Sequence, residues 1–193
     1  MKPHLFILTI SLCCPLPGGE KETFKQPELI IDDRFTIELA AAPPLVKHPM
    51  LATLDPQGRM FISESDGQNL QKAELLKQRP RFVRMLEDTD RDGVFDKSTI
   101  FADKMVMPEG ALWHQGALYI ISSPYLWRLE DTDGDGVADR RDKIIGYMEF
   151  DGRANQHGPW LGPNGLLYFL SLIHISEPTR RYAISYAVVC LKK

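Results

Sequence analysis

Cysteine is scarce in this chain, and its few cysteines lie close to the two ends. Cys13 and Cys14 belong to an apolar run at the N-terminus, and Cys190 lies near the C-terminus. The long middle part therefore contains no thiol that could form a disulfide bond, hold zinc or act as a nucleophile. Disulfide-scaffold, zinc-ribbon and cysteine-nucleophile classes are excluded for that part.

Long apolar runs are also missing after the first residues. The chain begins with Met1 and Lys2, continues with the apolar run Leu5–Cys14, and reaches Gly18 and Gly19 after a proline. This order is typical of a short secretory signal, whereas a membrane span needs roughly 18 apolar residues. We expect residues 1–19 to be a signal peptide and the protein to be exported, periplasmic or cell-surface. No other segment predicts a transmembrane span, and a lipid anchor stays an alternative.

The last residues do not resemble natural protein. LSLIHISEPTR at Leu170–Arg180 resembles the literal translation of a sequencing-library adapter. ISYAVVCL at Ile184–Leu191 differs only at Val189 from ISYAVFCL, the translation of the adapter's continuation. We expect residues 170–193 to be a non-native, adapter-derived tail and the natural sequence to end near Phe169.

Positive charge is in short supply. The chain has 23 Lys and Arg against 26 Asp and Glu, a formal net charge of −3. Five of the basic residues but only one acidic residue lie in the leader and tail, so residues 20–169 are more acidic than the whole chain. Two Asp-rich segments hold most of the excess, which favours cation binding and argues against a nucleic-acid partner.

One of these segments is a near-copy of the other. LEDTDRDG at Leu86–Gly93 recurs as LEDTDGDG at Leu129–Gly136, 43 residues later. Carboxylates at alternating positions of a tight loop converge on one point, as a hard cation requires; a glycine permits the turn, and the next residue can offer its backbone carbonyl. We therefore predict two calcium loops. Their expected ligands are Asp88, Asp90, Asp92, Val94 and Asp96 in the first, and Asp131, Asp133, Asp135, Val137 and Asp139 in the second.

These loops are not EF-hands. The twelfth positions are Thr99 and Asp142 instead of glutamate, and the flanking sequence alternates like strands. The pattern is typical of the shorter DxDxDG loops between strands of repeat proteins. The alternative is a polar turn that uses Asp and Gly for geometry alone, but unneutralised carboxylates at this density would repel one another.

The 43-residue period predicts the architecture. Repeats of about 40 to 45 residues built from short strands are typical of propeller blades. We predict an all-β fold, a partial β-propeller at residues 20–169 with about three blades of an incomplete ring of six, and an open edge. An ordinary sandwich is the alternative. Each unit is expected to contain strand, strand, Asp loop, strand and a longer connection holding Pro108 or Gln156–Gly158, with one short helix at Leu70–Gln78. The predicted strands include GRMFIS, FVRMLE, STIFA, GALYIIS, YLWRLE, RDKIIG and GLLYF.

Several phrases resemble one known family. FTIELAAAPPLVKHPMLATLDPQGRMFISES, the two LEDTDxDG loops, FADKMVMPEGALWHQGALYI and NQHGPWLGPNGLLYF are similar to the N-terminal domain of the membrane-bound dehydrogenases, also described as haem-binding proteins of the PVC type. These are exported proteins whose propeller is related to pyrroloquinoline quinone (PQQ) dependent glucose and sorbosone dehydrogenases. The resemblance implies a quinone-dependent oxidoreductase acting on CH–OH groups of sugars. It also implies PQQ as a possible cofactor and a c-type cytochrome region in the parent, but this fragment has no CxxCH motif and therefore no haem c site.

His157 is the catalytic candidate that the resemblance implies. In the sugar dehydrogenases a histidine before a GPDxxxY segment acts as general base, a role that suits an imidazole. Here His157 precedes Gly162–Asn164 and Tyr168, with a shorter gap and Asn164 in place of aspartate. The alternative is a loop histidine at a channel mouth without chemistry. Other cofactor-binding residues are not identified.

The remaining aromatic and basic candidates are assigned by context. We expect His48, His114, Trp113 and Trp127 to be structural and Arg153 to lie at the surface, while Trp160 beside His157 is the aromatic residue to test for ligand contact. Two functions remain open. One is a fragment of a sugar or aldose dehydrogenase, inactive as truncated; the other is a non-catalytic, calcium-stabilised binding or scaffold domain of a cell-surface protein.

Overall fold

The structure is a computed structural model that describes residues 30, 32–148, 150, 156–171 and 187–191, with only the backbone of 171 and 187–191. The expected signal peptide, Arg153 and most of the expected tail lie outside the described residues. All described strands belong to one compact unit, Ile31–Lys193.

Short antiparallel strands make up nearly all of the regular structure, so the predicted all-β class is confirmed. The single described helix, α1 at Lys72–Gln78, falls inside the expected Leu70–Gln78. The strands are β1 (Pro49–Leu54), β2 (Met60–Glu64), β3 (Arg81–Glu87), β4 (Lys97–Met105), β5 (Pro108–His114), β6 (Ala117–Ser122), β7 (Tyr125–Glu130), β8 (Arg140–Ile145), β9 (Gln156–Leu161), β10 (Leu167–Ser171) and β11 (Ala187–Leu191).

These strands form three antiparallel sheets in which neighbours in sequence are neighbours in space. Sheet 1 has the order β1-β2-β3-β4 and sheet 2 has the order β5-β6-β7-β8. Sheet 3 contains β9, β10 and β11, with β10 in the middle. The seven strands predicted from alternating apolar residues are all present as β2, β3, β4, β6, β7, β8 and β10.

The expected long connections are the part of the prediction that the structure corrects. Pro108 begins β5, and Gln156–Gly158 lies within β9, so each connection contains the first strand of the next sheet. Proline and glycine in these segments argued against strands. Proline is tolerated, however, where a strand lies at the edge of its sheet, because the missing N–H is then not needed by a neighbour. Both β5 and β9 are such edge strands.

The sheets pack face to face, with sheet 2 between the other two. On one side, Phe61, Met85 and Phe101 of sheet 1 share a buried cluster with Leu118 and Ile120 of sheet 2. On the other side a second cluster joins sheet 2 to sheet 3, with Ile121 and Leu126 of sheet 2 in the same buried cluster as Phe169 of sheet 3. Every residue of β6 is buried as a result. The strands β1, β5 and β9 lie together along one side of the three sheets.

Candidate functional site

The two Asp-rich loops occupy equivalent places in the fold. The first joins β3 to β4, and the second joins β7 to β8. In the first loop, one carboxylate oxygen from each of Asp88, Asp90 and Asp92 lies within 4.8 Å of the others. In the second loop, the carboxylates of Asp131, Asp133 and Asp135 meet the same limit. The sequence therefore identified six carboxylates that the fold brings together in two groups of three.

The first aspartate of each loop fixes the loop backbone. Asp88 accepts the Arg91 N–H on Oδ1 at 2.7 Å and the Gly93 N–H on Oδ2 at 3.0 Å. The second loop repeats this pattern. Asp131 accepts the Gly134 N–H on Oδ1 at 2.7 Å and the Gly136 N–H on Oδ2 at 2.9 Å. The duplicated sequence thus gives a duplicated hydrogen-bond network, which holds one edge of each carboxylate group in place.

Two residues of each loop adopt a left-handed backbone. The φ angles are 64° at Arg91 and 94° at Gly93 in the first loop, and 82° at Gly134 and 88° at Gly136 in the second. Glycine enters this region without steric cost, whereas a residue with a Cβ does not. Arg91 is therefore the one strained position that distinguishes the first loop from the second.

The last expected ligand of each loop, Asp96 or Asp139, makes a different contact. Asp96 accepts both the hydroxyl, at 2.6 Å, and the backbone N–H, at 3.2 Å, of Thr89, and Asp139 accepts the same two groups of Thr132. These bonds close the neck of each loop, and the structure brings neither carboxylate into a group of three. Direct coordination by Asp96 or Asp139 would need these bonds to rearrange or a water molecule to bridge the gap.

In each loop the backbone of the valine expected to offer its carbonyl, Val94 or Val137, is held by a neighbouring carboxylate. The Val94 N–H donates to Asp92 Oδ1 and the Val137 N–H donates to Asp135 Oδ1, both at 2.8 Å. Both valine side chains are exposed, although valine is apolar. Their expected role as carbonyl ligands stays a prediction.

The surroundings of Asp88 and Asp90 in the first loop shift the pKa values of these two carboxyls in opposite directions. Desolvation acts to raise the pKa of Asp88, but the hydrogen bonds from the backbone N–H groups of Gly93, Arg91 and Asp92 together outweigh it, so the net shift is downward. For Asp90, the Asp92 N–H acts to lower the pKa, but the charges of Asp92 and Asp96, desolvation and Asp88 raise it overall. Like-charge crowding of this kind is relieved by a bound cation.

His157 lies in a second candidate site, a cleft of about 170 Å³ on the side where β1, β5 and β9 meet. The residues around the cleft include Leu51, Glu109 and Trp160. Glu109 is only 6% exposed, whereas Trp160 is 50% exposed. Sequence reasoning missed Glu109 because a single acid in the run MPEGAL carries no motif. It also placed His157 on a connection, whereas the residue belongs to β9.

Asn164 stabilises the turn that follows His157, in the sequence Gly162–Asn164. Its amide donates to the Tyr168 hydroxyl at 2.8 Å, and its Oδ1 accepts the Leu166 N–H at 3.2 Å. Both contacts brace the turn between β9 and β10. The structure therefore accounts for Asn164 and Tyr168 without chemistry.

The other aromatic and histidine candidates have structural contacts. Trp113 stacks on Phe61 with ring centroids 4.8 Å apart. Trp127 donates its indole N–H to the Ser122 carbonyl at 3.2 Å. Both histidines also pack within the fold. The ring centroid of His114 lies 6.2 Å from that of Tyr119, and the ring of His48 packs against Gly67. These contacts agree with the structural roles expected for them.

Comparison with known proteins identifies a family. Residues 21–179 match the family described as a domain of unknown function, DUF7133. The chain belongs to that family. Searches of the curated proteins and of the solved structures found no match. The DUF7133 match ends beyond Phe169, inside the segment that resembles an adapter, so the origin of the tail stays a prediction. Among the described residues, no helix is long and apolar enough to cross a membrane.

Proposed function

We propose that this DUF7133 chain is part of a calcium-stabilised β-propeller domain of an exported protein, with a binding or scaffold role. The observation that carries the proposal is the repeated loop network, in which Asp88 and Asp131 hold the same backbone positions and each loop gathers three carboxylates. Three packed meanders, two of them four-stranded with an Asp loop before the fourth strand, are typical of consecutive propeller blades.

Calcium fits the loops better than magnesium. Calcium takes six to eight oxygen ligands in flexible geometry, whereas magnesium demands a near-ideal octahedron and keeps its water. Three carboxylates on a short loop can supply several oxygens, and the exposed side of the loop leaves room for water to complete the shell. Each ion would neutralise charge that otherwise opposes the folded loop, so the ion serves stability.

A calcium titration tests this proposal. Calorimetry of the chelator-treated chain should show two ions bound, and saturating calcium should raise the melting temperature. Each bound ion is expected to contribute about 2.7 kcal/mol of stabilisation at a free concentration of about 100 times its Kd. Asp133→Asn should remove one of the two ions, because it deletes a charge in the second group while keeping the side-chain shape.

Asp33→Asn is the matched control for that variant, because Asp33 is exposed and lies outside both loops. It should leave stoichiometry and melting temperature unchanged. Absence of binding heat together with an unchanged melting temperature for the parent chain would remove calcium from the proposal. Equal effects of calcium and magnesium would also contradict the assigned ion.

A second candidate function is the sugar or aldose dehydrogenase activity that the family resemblance implies. The observation that favours it is the cleft, which brings His157 beside Trp160 and Glu109. His157 could take a proton from a bound hydroxyl group there, as a general base does. The rest of the parent would supply a c-type cytochrome if the resemblance holds for the full length.

The described cleft does not fit PQQ. This quinone carries three carboxylates and needs cationic partners, but the described residues around the cleft include no lysine or arginine. We therefore derive no step through this cofactor, and the geometry favours the binding or scaffold role for the chain itself.

A turnover assay separates the two functions. With calcium, added PQQ and an electron-accepting dye, we expect no aldose-dependent dye reduction by the chain. Measured reduction that His157→Ala abolishes would establish the dehydrogenase instead. Trp160→Ala is the companion variant, because loss of an exposed ring beside His157 should weaken substrate binding without moving a proton-transfer pKa.

A further inference from the structure

A second cavity lies where α1 and the end of β4 meet sheet 2. Its volume is about 100 Å³, enough for a few water molecules or one compact solute. The described linings of this cavity and of the cleft beside His157 share no residue. We call it the cationic cavity and define it by six of the residues around it: Arg79, Lys104, Ser122, Tyr125, Trp127 and Lys143.

Three basic side chains surround this cavity in a chain whose net charge is −3. Arg79 caps the C-terminus of α1, Lys104 lies near the end of β4 and Lys143 lies on β8. Among the described residues that line the cavity, none is acidic. Lys104 Nζ lies 3.8 Å from Asp103, but Arg141 approaches that carboxylate more closely, at 2.9 Å. Positive charge gathered from three separate elements favours the binding of an anion.

Two of these basic residues have backbone conformations that suit glycine. The φ angle is 48° at Arg79 and 54° at Lys104. Arg79 is the left-handed C-cap of α1, a position usually held by glycine or asparagine. Lys104 lies in a β-bulge, where β4 has one residue more than β3 between paired positions. A residue with a Cβ adds a steric cost at both places, and strain of this kind is common where a side chain is positioned for binding.

The third basic residue is held over aromatic rings. Lys143 is the cross-strand partner of Trp127 in the ladder between β7 and β8. Its Nζ lies 4.1 Å from the ring centroid of Tyr125 and 5.4 Å from that of Trp127. These cation–π contacts fix an exposed ammonium group beside the cavity. Because the charge is already in place, less side-chain entropy is lost when an anion binds.

A buried serine offers a neutral donor on the sheet 2 side of the cavity. Ser122 is 2% exposed, and its hydroxyl oxygen accepts the backbone N–H groups of Val106 and Met107 at 3.0 and 3.2 Å. Both lone pairs of this oxygen are therefore used, which leaves the O–H to act as a donor. Apolar side chains, among them Leu76 and Met105, form another wall. The cavity thus combines cations, a hydroxyl donor and an apolar surface.

We propose that the cationic cavity binds a small organic carboxylate. The charged group meets Arg79, Lys104 and Lys143 through charge-assisted hydrogen bonds, and the short carbon body lies against the apolar wall. The volume limits the ligand to a compact molecule, and the apolar wall favours an organic anion over an inorganic one. This site goes beyond the proposed function, because it requires neither the Asp loops nor His157.

Calorimetry with butyrate as the probe is the first test. Butyrate should bind saturably, more weakly at high salt, and equally with and without calcium. The neutral analogue 1-butanol should not bind, and inorganic phosphate should bind more weakly than butyrate. Lys143→Gln should weaken butyrate binding about tenfold, since it removes one charged hydrogen bond. Lys47→Gln is the matched control on an exposed lysine that does not belong to the described lining, and it should bind like the parent chain.

Lys104→Gly separates a binding role from a structural one. It should weaken butyrate binding without lowering the melting temperature, because glycine suits the left-handed backbone of the bulge. Loss of both stability and binding would assign Lys104 to the fold and remove it from the site. The proposal would be overturned by a parent chain that does not bind butyrate, by binding only in the presence of calcium, by 1-butanol or phosphate binding as tightly as butyrate, or by equal affinities of Lys143→Gln and Lys47→Gln.

Discussion

The Ala138 N–H donates to the Phe101 carbonyl at 2.7 Å and joins the second Asp loop to the outer strand of the preceding sheet. The loop is therefore a contact between neighbouring sheets as well as a gathering of carboxylates. Arg141 adds a charged contact beside this bond, with its guanidinium 2.9 Å from Asp103 Oδ1. Order in the loop and packing of sheet 2 on sheet 1 should rise and fall together.

Because β5 and β9 pack closely, adding one methyl group between them should strongly destabilise the fold. A Cβ on Gly110 would lie 2.0 Å from the Gly158 carbonyl oxygen, where β5 meets β9. Gly110→Ala must therefore separate the two strands, and overpacking of this kind costs about 1 to 3 kcal/mol. Urea unfolding should show the loss. Gly146→Ala is the control, since no atom lies within 4 Å of its Cβ position, and a similar loss there would contradict the explanation.

Sequence pattern predicted the second, third and fourth strands of sheets 1 and 2 and the middle strand of sheet 3, but it missed the first strand of each sheet, namely β1, β5 and β9. β6 and β7 alternate or are uniformly apolar because both their edges are paired and their faces are covered. β9 contains Gly158 and Pro159, which oppose a strand in local propensity, and only the tertiary contact with β5 accounts for it. Edge strands can break local rules because one side of their backbone needs no partner.

The candidate sites divide in the same way. The carboxylate groups follow from a short motif, because spacing along a loop alone makes Asp131, Asp133 and Asp135 converge. Glu109 and His157 come from different sheets and meet only through the arrangement of β5 and β9. No local signal encodes that meeting. The carboxylate groups of the loops could therefore be predicted from the sequence, whereas the cleft that forms between two sheets could not.

The left-handed backbone at Arg91 predicts a stabilising substitution. Arg91 has φ 64°, and Gly134 holds the equivalent position with φ 82°. Arg91→Gly should relieve a steric cost of about 1 kcal/mol, partly offset by the greater freedom of glycine in the unfolded chain. It should also raise calcium affinity at the first loop by removing a positive charge.

Two further variants separate these contributions. Arg91→Ala removes the charge but keeps the Cβ, so it should improve calcium affinity without the gain in unfolding free energy. Gly134→Ala should destabilise the second loop. Denaturation with chelator measures the backbone effect, and calorimetry measures the ion. An Arg91→Gly variant less stable than Arg91→Ala would contradict the strain argument.

The buried carboxylate of Glu64 predicts a large loss on truncation. Its Oε2 accepts the Arg84 guanidinium at 2.5 Å, and its Oε1 accepts the Lys47 N–H at 2.9 Å. Both side chains of the ion pair are largely buried, at 16% and 2% exposure. Removing one partner leaves the other charge uncompensated, which costs about 3 to 5 kcal/mol.

The expected outcome for Glu64→Ala is therefore a loss near that range in urea unfolding. Glu64→Gln keeps the acceptor for the Lys47 N–H and should lose less. The double variant Glu64→Ala/Arg84→Met removes both charges and should recover part of the stability. Equal losses for Glu64→Ala and for the double variant would show that the ion pair is not the cause.

Thr132 and Asp139 predict a pH dependence at the neck of the second loop. The Thr132 hydroxyl, and then its backbone N–H, lower the pKa of Asp139, against a smaller upward effect of desolvation. A carboxyl with a lowered pKa in the folded state stabilises the fold above its unfolded pKa of about 3.9, and this contribution is lost as pH falls through the folded value.

Thr132→Val removes the hydroxyl donor and should raise the pKa of Asp139 towards its ordinary value. Unfolding measured with chelator from neutral pH to pH 3 should then show a smaller loss of stability for Thr132→Val than for the parent chain. Thr36→Val, on an exposed threonine away from the loops, should retain the full parental slope; if Thr132→Val does so too, the neck contact does not set the pKa of Asp139.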